Sequence, residues 1–515
     1  MANIFEHRNR HLVPNWRSFG RTAVLGELAS YQVTTDNRDR YEIDGYIIDF
    51  KLNRSVIHAS DLLSAAIANN SSTDREVIEA ARFILARSSI ASKSQVLLAE
   101  RVMTKPQTEN LLAEYQEAYL RKLEHLYDRT PFYQRIHAVK NRIKKYPRNA
   151  VLYVELARYY SILGEESRAL DAMRLALHLA PNNRYVLRCA TRLYAHCNSE
   201  DNNLIGIIHD KLCHNQYVKY DPWLLSAEIA IATMRKRHSK LIKHGKLLIK
   251  TGQVKPGGFT ELASSIGTTE MLYGSTRKSS EFFQLALLEP NDNTLAQIEW
   301  AMQKDKQLRL ERCQQDVVIN FEADAIEHYY SGEHVLAIED TANWLLDQPF
   351  SKRPVLFGAN LACTIMKDQE SAIAFLKAGL ISHPDDPQLL NNIAYSYALS
   401  NRPNMALEQL SMIRSEHNLD TVTGICIKAT RGLARFRKGE VEEGRRLYLE
   451  AIEDTKSANK QLLNWIAILN YAREEILVQS KHVDSILQVV EQIPELEENL
   501  EVQALKKDVL GLIKH

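Results

Sequence analysis

The stretch AVLYVELARYYSILGEESRALDAMRLALHLAP, residues 150–181, decides the fold of this 515-residue chain. Its first half places Tyr153, Leu156 and Tyr160 on one helix face, at the spacing i, i+3, i+7. Gly164 then interrupts the helical pattern where a turn is needed, because glycine adopts a positive φ without steric cost. The second half is again helical and ends at a proline, which cannot continue a helix. The stretch therefore predicts two helices joined as a hairpin.

Small residues complete the pattern of this hairpin. Ala157 and Ala169 fall where we expect the two helices to cross, and their short side chains let the backbones approach closely. With the tyrosines, the glycine and the closing proline, they make a unit that resembles the tetratricopeptide repeat (TPR), of about 34 residues, with the pattern W-x-x-L-G-x-x-Y, A-x-x-x-F and P. The arrangement recurs in a unit that begins at Val318, in units that end at Pro290 and Pro384, and in units that begin at Pro387 and Ile425.

The resemblance covers about residues 135–475. It implies an all-α, right-handed superhelical solenoid of TPR-like helix–turn–helix repeats, with a small N-terminal extension of uncertain fold. Outside the repeats, residues 74–87 and 109–127 predict amphipathic helices, and YEIDGYIIDF (residues 41–50) predicts a short strand pair around Gly45. The predicted organisation is an extension over 1–55, a helical region of degenerate repeats or a cap over 56–134, the TPR solenoid over 135–475 and C-terminal capping helices over 476–515.

Composition bounds the class of protein. Charged residues make up 25% of the chain and apolar residues 45%, as in an ordinary globular protein. No apolar run approaches the roughly 20 residues that span a bilayer, and the first residues lack the apolar core of a secretory signal. The cysteines have no framework spacing, so we expect reduced thiols in a cytoplasmic protein with no membrane partner. They are Cys189, Cys197, Cys213, Cys313, Cys363 and Cys426.

The net charge of +1 conceals an asymmetry between the two halves of the chain. Residues 1–260 hold 39 Lys and Arg against 26 Asp and Glu, a balance of +13, whereas residues 261–515 hold 26 against 38, a balance of −12. An elongated molecule with oppositely charged halves offers head-to-tail self-association. The other interpretation is two solvated surfaces that differ in sign.

The strongest local charge signal lies in residues 229–260, which contain no acidic residue. Residues 235–250 predict a helix with a basic surface, because five lysines share about a third of its circumference. Three interpretations remain open: a solubilising face, a docking surface for an acidic protein, and a surface for nucleic-acid phosphates without base reading. The predicted basic surface consists of Arg235, Lys236, Lys240, Lys243, Lys246 and Lys250.

The TPR resemblance also implies a concave groove, lined by the first helix of each repeat. A groove of this kind takes an extended segment or a helix from a partner protein. The Lys and Asn arrangement with which some TPR proteins hold a C-terminal carboxylate is not evident here. The tyrosine pair at 329–330 fits either the groove or core packing. Carried onto this chain, the lining residues are Arg158, Glu322, Tyr329, Tyr330, Gln388, Asn391, Tyr395, Phe436 and Arg437.

Signals for chemistry are weak. The phosphate-binding, zinc-protease, nucleophile-elbow and dinucleotide-binding motifs do not occur. A group of soft ligands and a run of aspartates match neither a common zinc module nor a complete nuclease, so we predict no catalytic residue, metal or cofactor. The soft ligands are His196, Cys197, His209, Cys213 and His214, and the aspartates are Asp36, Asp39, Asp44 and Asp49.

These patterns predict a protein–protein interaction scaffold or adaptor that is not an enzyme. It binds partner proteins, the subunits of a multi-protein assembly, through the TPR groove and its charged surfaces. Two alternatives remain open. One is a nucleic-acid-associated regulator that uses a basic helix over 235–250. The other is a peptide-sensing TPR regulator of an effector in a stress or anti-phage system.

Overall fold

In a computed structural model of the chain, all described secondary structure is helical. The described residues are 15–19, 43–68, 75–103, 120, 123–124, 126–197, 203–252, 254–308, 310, 317, 319–414, 419–494 and 499–513. Consecutive helices pack against each other in pairs. The predicted all-α class is therefore confirmed. None of the described helices has the length and apolarity to cross a membrane.

The hairpin predicted from residues 150–181 is present. Its helices are Ala150–Ile162 and Glu166–Leu179, and Gly164 occupies the turn with a φ of 74°. Ala157 and Ala169 are fully buried, as expected for side chains that let two helices approach. The second helix ends before the proline, as the pattern predicted.

Further helical pairs follow the first hairpin along the chain. A helix over Thr130–Lys145 precedes it and packs against it. The pairs after it are Arg184–His196 with Asn203–His214, Pro222–Met234 with Ile242–Lys250, Pro256–Tyr273 with Thr276–Ala286, Phe321–Tyr330 with His334–Asp347, Lys352–Asn360 with Gln369–Ser382, Pro387–Leu399 with Pro403–Ser411, Thr421–Arg437 with Val441–Ser457, and Gln461–Leu477 with Val483–Glu491. The single helix Asp292–Lys304 lies between the third and fourth of these pairs. Lys352–Asn360 continues into a π-helical turn, Leu361–Ile365. The last described helix is Leu500–Gly511.

Four helices near the beginning of the chain form a unit with a core of its own. They are Ile43–Leu52, Val56–Ala68, Arg75–Ala86 and Lys93–Met103. Arg75–Ala86 confirms the helix predicted over 74–87, and most of the helix predicted over 109–127 lies outside the described residues.

The strand pair predicted around Gly45 is wrong, because Ile43–Leu52 is a helix. Ile43, Tyr46, Ile47 and Phe50 recur at i, i+3, i+4, i+7 and all contact the core of the four-helix unit. This is the period of a helix face rather than of a strand. Ile43–Leu52 packs with helices beyond the predicted boundary at residue 55, and the predicted boundaries themselves stay predictions.

The stack of hairpins curves until its early and late parts touch. Ser382 Oγ lies 2.8 Å from the carbonyl oxygen of Ile162 and 2.7 Å from that of Pro349. The first contact joins residues that are 220 apart in sequence. Tyr127 Oη donates to the carbonyl of Ala374 at 2.8 Å across the same junction. One hydrophobic core consequently runs through the stack from the early to the late hairpins.

The last helices pack against Gln461–Leu477 around a small separate core. Leu500–Gly511 also reaches back to the π-helical turn, where Lys367 pairs with Asp508. Their predicted role as caps stays a prediction.

Arg54 connects the four-helix unit to the solenoid. Its guanidinium pairs with Glu79 in the unit and lies 3.3 Å from Asp324 and 4.0 Å from Asp340 in the hairpin at 321–347. His328 Nδ1 is 2.8 Å from Asp340 Oδ2 beside it. A cavity of about 810 Å³ lies between the two parts, lined by these groups.

This junction predicts a pH dependence of stability. Burial lowers the pKa of His328, but the hydrogen bond and charge of Asp340, with Asp324 and Glu333, outweigh burial and raise the pKa above its usual value. A histidine with a raised pKa stabilises the folded state below the unfolded pKa of about 6.5 and loses that contribution as pH rises through the folded pKa. We therefore expect the stability difference between the wild-type protein and His328→Gln to be largest in acid and to shrink above neutral pH.

Urea denaturation of both proteins at several pH values measures this difference. His137→Gln, at an exposed histidine outside this junction, is the control for the substitution itself. A difference that stays constant from acid to alkaline pH would contradict the assignment.

Candidate functional site

The inner face of the curved stack encloses a segment of the chain itself, residues 15–19. The Trp16 side chain is fully buried, and Arg17 is 2% exposed. The residues around them come from helices at 150–196, from the beginning of Asp292–Lys304 and from residues 347–350. We refer to this part of the inner face, with Glu155, Tyr185, Asp292, Asp347 and Phe350, as the segment site.

Two carboxylates hold the guanidinium of Arg17. Its Nε lies 3.1 Å from each carboxylate oxygen of Asp347, and its Nη2 donates to Asp347 at 2.8 Å and to Asp292 at 2.6 Å. Asn15 Nδ2 donates to the same Asp292 oxygen at 2.7 Å. Burial alone would lower the pKa of Arg17, but the charges of Asp292 and Asp347 hold the pKa well above its usual value. The site therefore binds a buried, permanently charged arginine.

Aromatic contacts fix the residues on either side of Arg17. The ring centroids of Trp16 and Phe350 are 5.3 Å apart at an angle of 57°. Phe19 meets Tyr185 edge to face, with centroids 5.2 Å apart. Pairs of this geometry stabilise by about 1 kcal/mol beyond the burial of their area.

The main chain of the segment is also bound. The Phe19 amide donates to Glu155 Oε1 at 2.6 Å. Tyr185 Oη lies 2.9 Å from the carbonyl oxygen of Arg17 and 3.1 Å from Glu155 Oε1. These contacts depend on backbone groups, so they fix the direction of the segment whatever its side chains are.

The predicted groove residues are not those that hold segment 15–19, and several are buried in the solenoid. Glu322 forms a buried ion pair with Arg353, whose guanidinium also lies over the Trp344 ring. Tyr329 is buried, and its neighbour Tyr330 is 40% exposed. The tyrosine pair is thus divided between core and surface.

The remaining predicted residues are mostly engaged with other repeats. Tyr395 Oη donates to Asn470 at 2.7 Å, and Arg437 pairs with Glu474. Gln388 is half-buried and lines a cavity of about 820 Å³ between the early and late hairpins. The other three, Arg158, Asn391 and Phe436, are buried.

Burial raises the pKa of Tyr185 well above its usual value, although Arg158 is near enough to this tyrosine for its charge to lower the pKa. The binding role of the predicted groove residues stays a prediction. The pattern missed the segment site because its members fall at other positions or outside helices. Tyr185 lies at the beginning of the helix Arg184–His196, outside the repeat units recognised in the sequence, and Phe350 lies in a turn.

The predicted basic helix over 235–250 is wrong. One helix ends at Met234, Lys236 has a φ of 54°, and the next helix begins at Ile242. The reason is that residues 235–240, RKRHSK, offer no apolar side chain to bury. Most helices in proteins are stable only because they pack an apolar face.

The five lysines consequently do not form one stripe. Lys246 turns to Glu270, 2.6 Å away, and lies over the Phe282 ring. Arg235 turns inward to His209. The lysines that remain exposed are Lys236, Lys240, Lys243 and Lys250.

One group of described residues has the spacing of metal ligands: His209, Cys213 and Glu228. Their ligand atoms are 3.4–3.7 Å apart. However, the Arg235 guanidinium lies 2.9 Å from His209 Nδ1 and can only donate, so His209 carries its proton on Nε2, towards Glu228. Burial and the Glu228 charge raise the pKa of the Cys213 thiol to about 11. This geometry is that of a hydrogen-bonded network around a protonated thiol.

The other soft ligands considered from the sequence do not join this group. His196 and Cys197 line the cavity of about 820 Å³ instead. The described cysteines, five of the six in the chain, are free thiols.

Paired helices, small residues at their crossing and a positive-φ glycine at the turn define a TPR-like helical-repeat protein. No protein-family model and no curated protein matches the chain. Among solved structures, the chain is similar to the crystal structure of yeast Tom70, with 14% identity over 78% of this chain and 97% of that chain and a TM-score of 0.30. A TM-score of this size supports no further comparison, so the helical hairpins themselves define the fold.

Proposed function

We propose that this protein is a scaffold of a multi-protein assembly and that the inner face of its solenoid binds a segment of a partner protein. One observation carries the proposal: the inner face encloses residues 15–19 through an aromatic contact, a guanidinium held by two carboxylates and contacts with the main chain. These are the elements with which a protein surface recognises a peptide segment.

The alternatives differ in how much support they keep. A nucleic-acid-associated regulator needed a continuous stripe of lysines, and the break at Lys236 and the pairing of Lys246 remove that stripe. A peptide-sensing regulator would use the same inner face as the scaffold, so the segment site supports it equally. The expectations of a cytoplasmic, non-enzymatic protein and of self-association through its charged halves stay predictions.

Affinity purification of the full-length protein from its native cells, with quantitative mass spectrometry, tests the proposal. We expect a defined set of proteins to be captured and to be lost from the variant Asp347→Asn/Phe350→Ala, because this variant removes the guanidinium acceptor and the aromatic contact. Asp171→Asn is the matched control, since Asp171 is exposed and pairs, within the described part of the chain, with its helix neighbour Arg174.

The control variant should capture the same proteins as the wild type. Circular dichroism of each purified variant shows whether its helices are intact. A protein set that both variants retain in full would place partner binding outside the segment site and refute the proposal.

A further inference from the structure

Resting on the proposed function, we propose that the segment site selects partner segments with an aromatic residue followed by arginine. Residues 15–19 are then an intramolecular copy of that ligand, which occupies the site until a partner segment displaces it. Four observations on the described residues carry this inference.

The site distinguishes arginine from lysine. Arg17 uses Nε and Nη2 together on the two oxygens of Asp347, while Nη2 also reaches Asp292. A guanidinium presents such parallel donors in a planar fork, whereas an ammonium is a single point charge. Two carboxylates around one cation also exclude an acidic residue at this position.

At the position before the arginine, which Trp16 occupies, the site recognises an aromatic ring and not the indole N–H. Trp16 is enclosed and meets Phe350, yet its Nε1 is buried and has no hydrogen-bond partner among the residues described. A buried donor without an acceptor costs free energy. A phenylalanine at this position keeps the ring contact and removes that cost.

The intramolecular ligand is therefore not the best ligand for its own site. Asn15 Oδ1 is likewise buried without a partner in the described part of the chain. Both unsatisfied atoms belong to the segment, and neither belongs to the walls that hold it. A partner segment without these two unsatisfied atoms has a higher intrinsic affinity for the site than residues 15–19 have. This higher affinity offsets the high effective concentration of the intramolecular ligand.

The contacts that hold the main chain are independent of sequence. Glu155 accepts from the amide of Phe19, and Tyr185 reaches the carbonyl of Arg17. A second peptide chain offers the same groups in the same direction.

The test uses the full-length protein and labelled synthetic peptides of residues 13–21, VPNWRSFGR, read by fluorescence anisotropy. In the variant Trp16→Ala/Arg17→Ala the intramolecular ligand is disabled, so this variant should bind the peptide at least about tenfold more tightly than the wild type. A peptide with lysine in place of the first arginine should bind at least about tenfold more weakly, since it loses charge-assisted hydrogen bonds. A peptide with phenylalanine in place of tryptophan should bind at least as tightly as the parent.

Adding Asp347→Asn to the disabled variant should abolish binding of the parent peptide. Equal binding to the wild type and the disabled variant, or equal binding of the arginine and lysine peptides, overturns the inference. If the disabled variant does not fold, Arg17→Lys replaces it, because lysine keeps the positive charge but loses the paired hydrogen bonds of the guanidinium. The Arg17→Lys variant should bind the parent peptide more tightly than the wild type does, and the inference fails if it does not.

This experiment fails independently of the test of the proposed function. Loss of peptide binding together with capture that depends on Asp347 would refute only the aromatic–arginine chemistry. Capture that is insensitive to the segment site would refute the proposed function itself.

Discussion

Gly164→Ala should lower the free energy of unfolding by about 2–5 kcal/mol, the sum of two costs. Gly164 has a φ of 74°, where an L-residue is strained. An added Cβ would also lie 2.9 Å from the carbonyl oxygen of Ile381, 3.1 Å from that of Ser382 and 3.0 Å from Pro384 Cδ. Two of these neighbours are backbone atoms. They can move away from the added Cβ only if the contact between the early and late hairpins shifts as a whole.

Gly439→Ala separates the two costs. Gly439 occupies the turn of the hairpin at 421–457 with a φ of 89°, and nothing lies within 4 Å of an added Cβ. This control should therefore lose only the strain, about 1–2 kcal/mol. Urea denaturation of both variants measures the difference. Equal losses of stability in the two variants would show that the turn at Gly164 is not packed against residues 381–384.

Arg353→Met should destabilise the protein by about 3–5 kcal/mol, because it leaves a buried carboxylate without its cation. The Arg353 and Glu322 side chains are 6% and 8% exposed and form an ion pair between neighbouring hairpins. Methionine keeps much of the volume that lies against the Trp344 ring, so packing changes little. The loss then reports mainly on the charge of Glu322.

Arg446→Met is the matched control for this substitution. Arg446 and Glu443 are 55% and 44% exposed and pair on one helix surface. Exposed pairs of this kind contribute at most about 1 kcal/mol. Thermal and urea denaturation of the two variants should therefore differ clearly. A similar small loss in both would mean that water reaches Glu322 and that this residue is available to a partner, as the sequence had predicted.

The repeat pattern predicted the hairpins because each one depends on local spacing. Ala157, Gly164 and Ala169 mark the crossing and the turn of the first hairpin within about 34 residues of chain, and the structure has them in those roles. Ile43–Leu52 was misread because a motif around Gly45 was given more weight than the period of Ile43, Ile47 and Phe50. The local signal for a helix was present there.

The segment site could not be predicted in this way. Arg17 meets Asp292 and Asp347 across sequence separations of 275 and 330 residues. No local period connects such positions. The basic stripe was predicted from a period that assumed an uninterrupted helix, and residues 235–240 lack the apolar side chains that would have kept it helical.

The contact of Ser382 with Ile162 has a consequence for how the chain is made. In an open stack each repeat needs only its neighbours, so a repeat can complete its structure as it leaves the ribosome. Here the turn after Ile162 has to wait for more than two hundred further residues, because its contacts at Ile381, Ser382 and Pro384 are synthesised so much later. During that interval the first hairpin exposes surface that the finished protein covers, and surface of this kind makes incomplete chains prone to aggregate.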